Sequence, residues 1–395
     1  MRFLIFLSVS FFVVACSSKT TTPSPGYYTL VFNTDNGNIP IRLNINDSTG
    51  WQIINADEVI QLDSVILRND SFFVKLPLFD SSIKGTWRKD SLVGEWTDHS
   101  RKDYSIPFTA TIETPATCSS SVEVLNYDIV FSPEDTTSSS KGIAVLQQHG
   151  TCVTGTVLTE TGDYRFLQGE LNGDSLWLSA FDGTHLFYLT GRLVGDSIIG
   201  GVFLSGKHWK EPWSAHKSAR NTLRDPASIT SLREGRQPEF TVHNSLGQMI
   251  RFDSTTWKNH VSIVQIMGSW CPNCTDESRF LKTLFDEHTT KGLRIIPVAF
   301  ERGDDTIAAC ARVQKQFTQL GLSYPFYYGG QASKTAALNT FNFLDEVHSF
   351  PTTLFIDREG KIRKVFTGFY GPGTGEEYTR HTSAISAFVD SLITE

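Results

Sequence analysis

The sequence predicts a multidomain chain: an N-terminal all-β antiparallel barrel or sandwich built from two similar halves, then a C-terminal α/β domain. Three observations carry this reading. Residues 27–214 show almost no helical period; alternating runs such as Ser71-Phe72-Phe73-Val74-Lys75-Leu76 and Leu186-Phe187-Tyr188-Leu189 are broken by Gly, Asn and Asp. Within them, Asn69-Asp70-Ser71-Phe72-Phe73 is answered by Gly173-Asp174-Ser175-Leu176-Trp177, and Lys89-Asp90-Ser91-Leu92-Val93-Gly94 by Gly195-Asp196-Ser197-Ile198-Ile199-Gly200. A separation of about a hundred residues suggests two copies of one meander, making one barrel or sandwich. Finally, an apolar run from Val261 to Met267 enters Gly268-Ser269-Trp270-Cys271-Pro272-Asn273-Cys274 and a helical pattern leaves it, which reads as buried strand, tight turn and helix start.

Before the β region lies an address. Met1-Arg2, a short apolar run and Val13-Val14-Ala15-Cys16 read as a secretory signal, too short to remain as a membrane span. The ending resembles a bacterial lipobox, which implies that residues 1–16 are a lipoprotein signal peptide ending at Cys16, the residue that takes lipid. Residues 17–26, rich in Ser, Thr, Lys and Pro, read as a flexible tether. The expected location is the cell envelope, lipid-anchored and facing the periplasm or the outside. A net charge of −7 with scattered basic residues argues against a nucleic-acid partner.

In the β region (27–214), pairs such as Asn36-Gly37 and Gly195-Asp196 supply the positive φ of tight hairpins. Trp51, Trp87, Trp96, Trp177, Trp209 and Trp213 are expected in core and lining. His185, His208 and His216 are too irregularly spaced to suggest a metal site. The region reads as a spacer or partner-recognition module, with a ligand-binding barrel as the alternative. Residues 215–236 are polar and read as a linker. Cys118 and Cys152 are candidates for a structural disulfide, a pairing that spacing alone does not settle. Cys310 falls in a helical pattern with Ile307, Phe317 and Leu320 and is expected to be a small buried hydrophobe.

The chemistry gathers at the two thiols. Cys271 falls at the free amides of a helix N-terminus, where thiolate is favoured over thiol; it reads as the attacking sulfur. Cys274 lies one turn deeper and reads as the resolving thiol. Pro272 suits a first helical position, which has no use for an N–H. A zinc site would want a second ligand pair, and no further C-x-x-C, C-x-x-H or H-x-x-x-H spacing accompanies this one.

The lead-in Pro238-Glu239-Phe240-Thr241, the Trp270 to Cys274 motif, Glu277 and Phe350-Pro351-Thr352-Thr353 opening Leu354-Phe355-Ile356-Asp357 resemble the TlpA/ResA-like thiol-disulfide oxidoreductases of the bacterial envelope. The resemblance covers about the last two fifths of the chain and implies a thioredoxin-like fold for residues 237–395. It implies a catalytic set of Cys271, Cys274, Glu277 and Pro351, with Trp270, Pro272 and Asn273 completing the motif. In that family the proline is cis, faces the thiols and offers backbone groups to the substrate chain. Protein disulfides are the implied clients, an upstream thiol reductant in the membrane the implied partner, and the redox-active disulfide stands in place of any metal or organic cofactor. Pro272-Asn273 brings no cation that would make the pair strongly oxidising, so the expected direction is reduction, at a potential on the order of −200 to −270 mV.

Two departures are visible. Gln265 stands where thioredoxin has a buried Asp, and Phe350 is bulky for the position before the cis proline. With Gln265 unable to titrate, Glu277 is the nearest candidate for proton exchange. It shares a helical face with Cys274, Leu281 and Leu284, so its carboxyl is expected to be desolvated with a raised pKa. The alternative is a structural carboxylate paired with Arg251 or Lys282. A thiol peroxidase of the same fold would need Thr three residues before the reactive Cys, where Gly268 stands.

Overall fold

A computed structural model describes residues 22–114, 118–218 and 222–395; Cys16 and the lipobox-like ending lie outside the described residues. Each half of the β region builds its own nine-stranded antiparallel sheet. In the first, chain neighbours are sheet neighbours and the opening strand Gly26–Thr34 returns to pair with the last, Ser105–Glu113. The ring has one seam, between Glu58–Leu62 and Ser64–Arg68, which Asp63 joins. In the second, Glu123–Phe131 pairs with both Ser140–His149 and Trp209–Lys217, and Ser140–His149 pairs with Cys152–Thr159, which closes the ring. The repeats seen in the sequence open the sixth and eighth strands of each sheet: Ser71–Lys75 and Ser91–Asp98, then Ser175–Phe181 and Ser197–Ser205. Two barrel-like sheets therefore stand where the repeat suggested one, because each copy has enough strands to pair its own first and last.

The first barrel's core is side chains: Phe32, Trp96, Phe108 and Phe181 meet with ring centroids 5.1 to 6.3 Å apart. Phe181, Leu186 and Leu204 belong to the second barrel yet lie in this cluster, so the two barrels share apolar surface. The void left inside is about 10 Å³, which is about one water's worth. Trp51, Trp87, Trp96 and Trp213 are buried, whereas Trp209 is exposed. Cys118 and Cys152 are bonded, with Cα atoms 5.5 Å apart.

The segment after the barrels does not hang free. Ile229 is buried, Thr230 meets Thr367 at 2.8 Å, and Leu232 bridges to Leu344. The C-terminal sheet has seven strands, with Val261–Met267 in its interior, parallel to the central strand Leu293–Glu301 and antiparallel to Thr352–Ile356. Every residue of Val261–Met267 is buried, and alternation divides them between two faces. Val261, Ile263 and Met267 join the apolar cluster under the helices Pro272–His288 and Glu376–Thr394; Val264 and Ile266 join the opposite cluster. This is an α/β thioredoxin-like layer arrangement. Thr306–Leu320 is a helix whose buried residues are Ala309, Val313, Gln316 and Phe317. Ile307 is 84% exposed, so the inward face is rotated from the one expected. Cys310 is half-buried rather than buried, and lines a surface cavity of about 650 Å³ with Leu246 and Phe326.

Candidate active site

The buried strand ends at Met267, the chain turns through Gly268, Ser269 and Trp270, and the helix begins at Pro272 with Cys271 as its N-cap. A side chain at Gly268 would press within 2.4 Å of the Trp270 ring, so the turn needs glycine there. The Cys271 and Cys274 sulfurs are joined as a disulfide, with Cα atoms 5.3 Å apart. The Cys274 backbone N–H donates to Cys271 Sγ at 3.2 Å. That amide is one of the unpaired donors at a helix start, and it would favour negative charge on Cys271 after reduction. Cys271 is 5% exposed and Cys274 0%. Cys271 Sγ also lies 3.5 Å from the Phe350 carbonyl oxygen, and the Phe350–Pro351 bond is cis. The Phe350 ring meets Trp270 edge-on at 5.5 Å.

Behind Cys274 lies a polar group closed on itself. Gln265 has the same parity as Val261, Ile263 and Met267, so it points at the dithiol helix. Its Nε2 donates to the Cys274 carbonyl at 3.2 Å and to Glu277 Oε2 at 2.8 Å, and its Oε1 accepts from Ser278 Oγ at 3.1 Å. Thr353 Oγ1 donates to Glu277 Oε1 at 2.8 Å. Both carboxyl oxygens thus have neutral partners, and burial pushes the Glu277 pKa up to about 7 against the pull of those two hydrogen bonds. The cations considered for Glu277 are engaged elsewhere: Lys282 with Asp286, Arg251 with Glu239 and Asp253.

A second buried carboxylate, Glu301, ends the neighbouring strand and holds the turn before Cys271. Ser269 donates to it twice, from N–H at 2.6 Å and from Oγ at 2.7 Å. Gln316 Nε2 donates to the Ser269 carbonyl at 3.0 Å and to Thr275 Oγ1 at 2.9 Å. Burial raises the Glu301 pKa, against the hydrogen bonds from Ser269 and the nearby Arg312. An acidic residue closing the run Leu293–Glu301 was a visible signal for this clamp. Gln316 and Thr353 had none.

The front of the motif touches the second barrel. Asn273 Nδ2 donates to the Phe369 carbonyl at 3.1 Å and to the Asp163 carbonyl at 3.4 Å. Asp163 Oδ2 accepts from the Gly371 N–H at 2.6 Å, and Thr184 Oγ1 donates to the Trp270 carbonyl at 3.4 Å. Arg165 donates to Asp276 Oδ2 at 2.7 Å, pairs with Glu58 of the first barrel, and lies 3.4 Å from Asp182. Burial works against its charge, but the four carboxylates Asp276, Glu58, Asp182 and Asp163 outweigh that and raise its pKa.

The structure therefore gathers Trp270, Cys271, Pro272, Asn273, Cys274, Glu277 and Pro351 in one site. Cys152 opens a strand of the second barrel's sheet, and Cys118, bonded to it, lies in the segment just before that sheet's first strand. Among the described residues no cluster of His, Cys, Asp and Glu could hold a metal ion, and no helix is long and apolar enough to cross a membrane.

Known proteins resemble the C-terminal part. Residues 234–379 match the Redoxin family. The ResA thiol-disulfide oxidoreductase of Geobacillus thermodenitrificans is 26% identical over 160 residues, 40% of this chain and 75% of the relative. That of Geobacillus kaustophilus is 26% identical over 148 residues, 38% of this chain and 75% of the relative. Among solved structures, a thiol:disulfide interchange protein of the thioredoxin family from Chlorobium tepidum shares 18% identity at a TM-score of 0.28, covering 38% of this chain and 98% of that one. The thioredoxin domain of a thiol-disulfide oxidoreductase from Bacteroides vulgatus shares 18% at 0.29, covering 38% and 99%. The Redoxin match, the ResA relatives and the dithiol at a strand-to-helix turn make the C-terminal part of the chain similar to TlpA/ResA-like thioredoxin-fold proteins and support a thiol-disulfide oxidoreductase.

Proposed function

We propose that the chain is a membrane-tethered reductase of protein disulfides in the cell envelope, anchored by lipid on Cys16. The reduced Cys271 thiolate attacks a client disulfide, forming a Cys271–client disulfide and releasing one client thiolate. Cys274 then attacks Cys271 Sγ, regenerating the Cys271–Cys274 bond and releasing the second client thiolate. Two electrons pass to the client, and an upstream membrane thiol reductant restores the dithiol. Glu277, near neutrality in its titration, takes the Cys274 proton through the Gln265-linked pocket as that thiol attacks. Pro351 and the Phe350 carbonyl side offer backbone to the client chain.

The observation that carries this reading is the asymmetry of the two sulfurs: Cys271 caps the helix beside the cis proline, while Cys274 is enclosed with a carboxyl of raised pKa. The test is reduction of a generic protein disulfide by the full chain with dithiothreitol as donor. Cys271→Ser and Cys274→Ser should each abolish it, and Cys274→Ser should accumulate clients bonded to Cys271. Activity surviving in Cys271→Ser would move the chemistry elsewhere. For the anchor, Cys16→Ala should leave the chain unprocessed or soluble; wild-type chain recovered wholly soluble, with a different N-terminus, would remove that part.

A further inference from the structure

We infer that the second barrel is a specificity-determining wall of the active site, latched by Arg165, which governs the size of disulfide that reaches Cys271. The inference rests on the reading of Cys271 as attacking thiol. Residues on both sides of Cys271 are held by the barrel: Trp270 through Thr184, and Asn273 through Asp163. The approach is close. A Cβ at Gly162 would lie 2.2 Å from Asn273 Nδ2, and one at Gly368 would lie 2.6 Å from the Thr161 carbonyl carbon. The loop after Ile362–Thr367, which flanks the motif, is capped by Asp163 at Gly371. Cys271 is itself only 5% exposed, and with the barrel fixed to the residues on both sides of it a small disulfide, or one on a slender extended strand, would approach more easily than one embedded in a folded surface.

The contact is built to release. The apolar cluster around the dithiol contains no barrel residue, and the second barrel's cluster contains none from the dithiol domain, among the described residues. What joins them is polar, the character of interfaces that permit domain motion. At its centre Arg165 Nε, Asp182 Oδ2 and His185 Nδ1 are buried without a hydrogen-bond partner, so the latch is electrostatically strong but geometrically incomplete. Arg165 reaches across through one leg, Asp276, and is anchored in the barrels by Glu58 and Asp182. Removing that leg frees the wall and leaves its anchor.

The test compares two thiol reagents on the reduced full chain, iodoacetamide and a long polyethylene glycol maleimide, with modification at Cys271 read by peptide mass. Two variants are used: Arg165→Gln, and Asp276→Asn, which is isosteric and keeps Arg165 paired within the barrels. If the competent open state is a minor population, opening the latch should raise the maleimide rate about tenfold or more and the iodoacetamide rate by less than about threefold. Reduction of a folded protein disulfide should rise with the maleimide rate, relative to a small disulfide. Should Arg165→Gln misfold, Asp276→Asn decides. An unchanged ratio of the two reagent rates in folded Asp276→Asn, or equal acceleration of both, overturns the proposal. Because alkylation needs no turnover, a chain that reduces no disulfide would refute the proposed activity while the ratio still decides the wall.

Discussion

The two sides of the dithiol are built from opposite materials. Behind Cys274, Gln265, Glu277, Ser278 and Thr353 form a group in which both carboxyl oxygens and all of Gln265's donors and acceptor are used, and every member comes from the same domain. In front of Cys271, Asp163, Arg165 and Thr184 come from the barrels, carry several charges, and leave the buried Arg165 Nε without a hydrogen bond. A satisfied neutral network stiffens its surroundings and fixes a pKa, whereas a charged, incompletely paired contact between domains can be exchanged for water. The difference teaches that Cys274 has a permanent environment and Cys271 a removable one.

The largest effect expected of any test of this contrast is at Arg165. Arg165→Ala leaves buried carboxylates without their cation, a loss worth about 3–5 kcal/mol, read as a lowered urea midpoint of the full chain. If the midpoint hardly moves, the front contact is weaker than its geometry and the contrast fails. Next comes Glu277→Gln. A carboxyl whose folded pKa lies above its unfolded value contributes stability that is complete below the unfolded pKa and is lost as pH rises through the folded one. For Glu277 the window runs from 4.5 to about 7, worth roughly 3 kcal/mol. Urea midpoints of the wild type should therefore fall across that window, and those of Glu277→Gln should not share that part of the fall. The same variant should slow disulfide exchange by roughly tenfold and flatten its pH profile near neutrality. Unchanged rate and pH profile would leave Glu277 a structural role only.

Asp163 offers the counterpart on the removable side. Burial, with the Gly371 hydrogen bond opposing and Asp276 adding repulsion, pushes its pKa up to about 6 from 3.8. Its stability contribution is thus lost between about pH 4 and 6, a slightly smaller effect of about 3 kcal/mol. Asp163→Asn should remove that lower part of the fall and leave the Glu277 part. A single variant that erased both would mean the two sides titrate as one network.

The permanent side was legible in the sequence because its signals are local. The apolar strand, the C-x-x-C spacing and the helical step from Cys274 to Glu277 all lie within one strand–turn–helix unit, where period alone sets which side chains face inward. Gln265 was legible for the same reason. The removable side was not. Arg165 meets Asp276 across 111 residues and Glu58 across 107, and nothing in Tyr164-Arg165-Phe166 distinguishes a buried cation from a surface one. The repeat revealed two copies of one meander, yet whether two copies share a barrel or close separately depends on the pairing of first and last strands, which leaves no local mark. On Thr306–Leu320 the helix was legible but its face was not, since the inward face includes the polar Gln316 and the small Ala309 while Ile307 in the first turn is exposed.

The smallest expected effect is at Arg302, and it tests whether the removable contact is concentrated at Arg165 or spread along the interface. The Arg302 guanidinium sits 4.6 Å from the Trp270 ring centroid and its Nη1 is 3.3 Å from Asp98 Oδ2 of the first barrel. Burial lowers its pKa to about 10, so it stays charged at neutral pH. Asp98 does not depend on it: Arg101 Nε lies 3.0 Å from Asp98 Oδ2, and the Ser100 N–H donates to Oδ1 at 3.0 Å. Trp270 keeps its own bond from Nε1 to the Phe300 carbonyl at 2.8 Å. Arg302→Gln therefore orphans no charge, and its cost reduces to a partly desolvated cation–π contact, about 1 kcal/mol. The urea midpoint of Arg302→Gln should show that small loss. A loss of roughly 3 kcal/mol, comparable to a broken buried pair, would show that the first barrel latches the motif as firmly as the second, and the front contact would then be as permanent as the back.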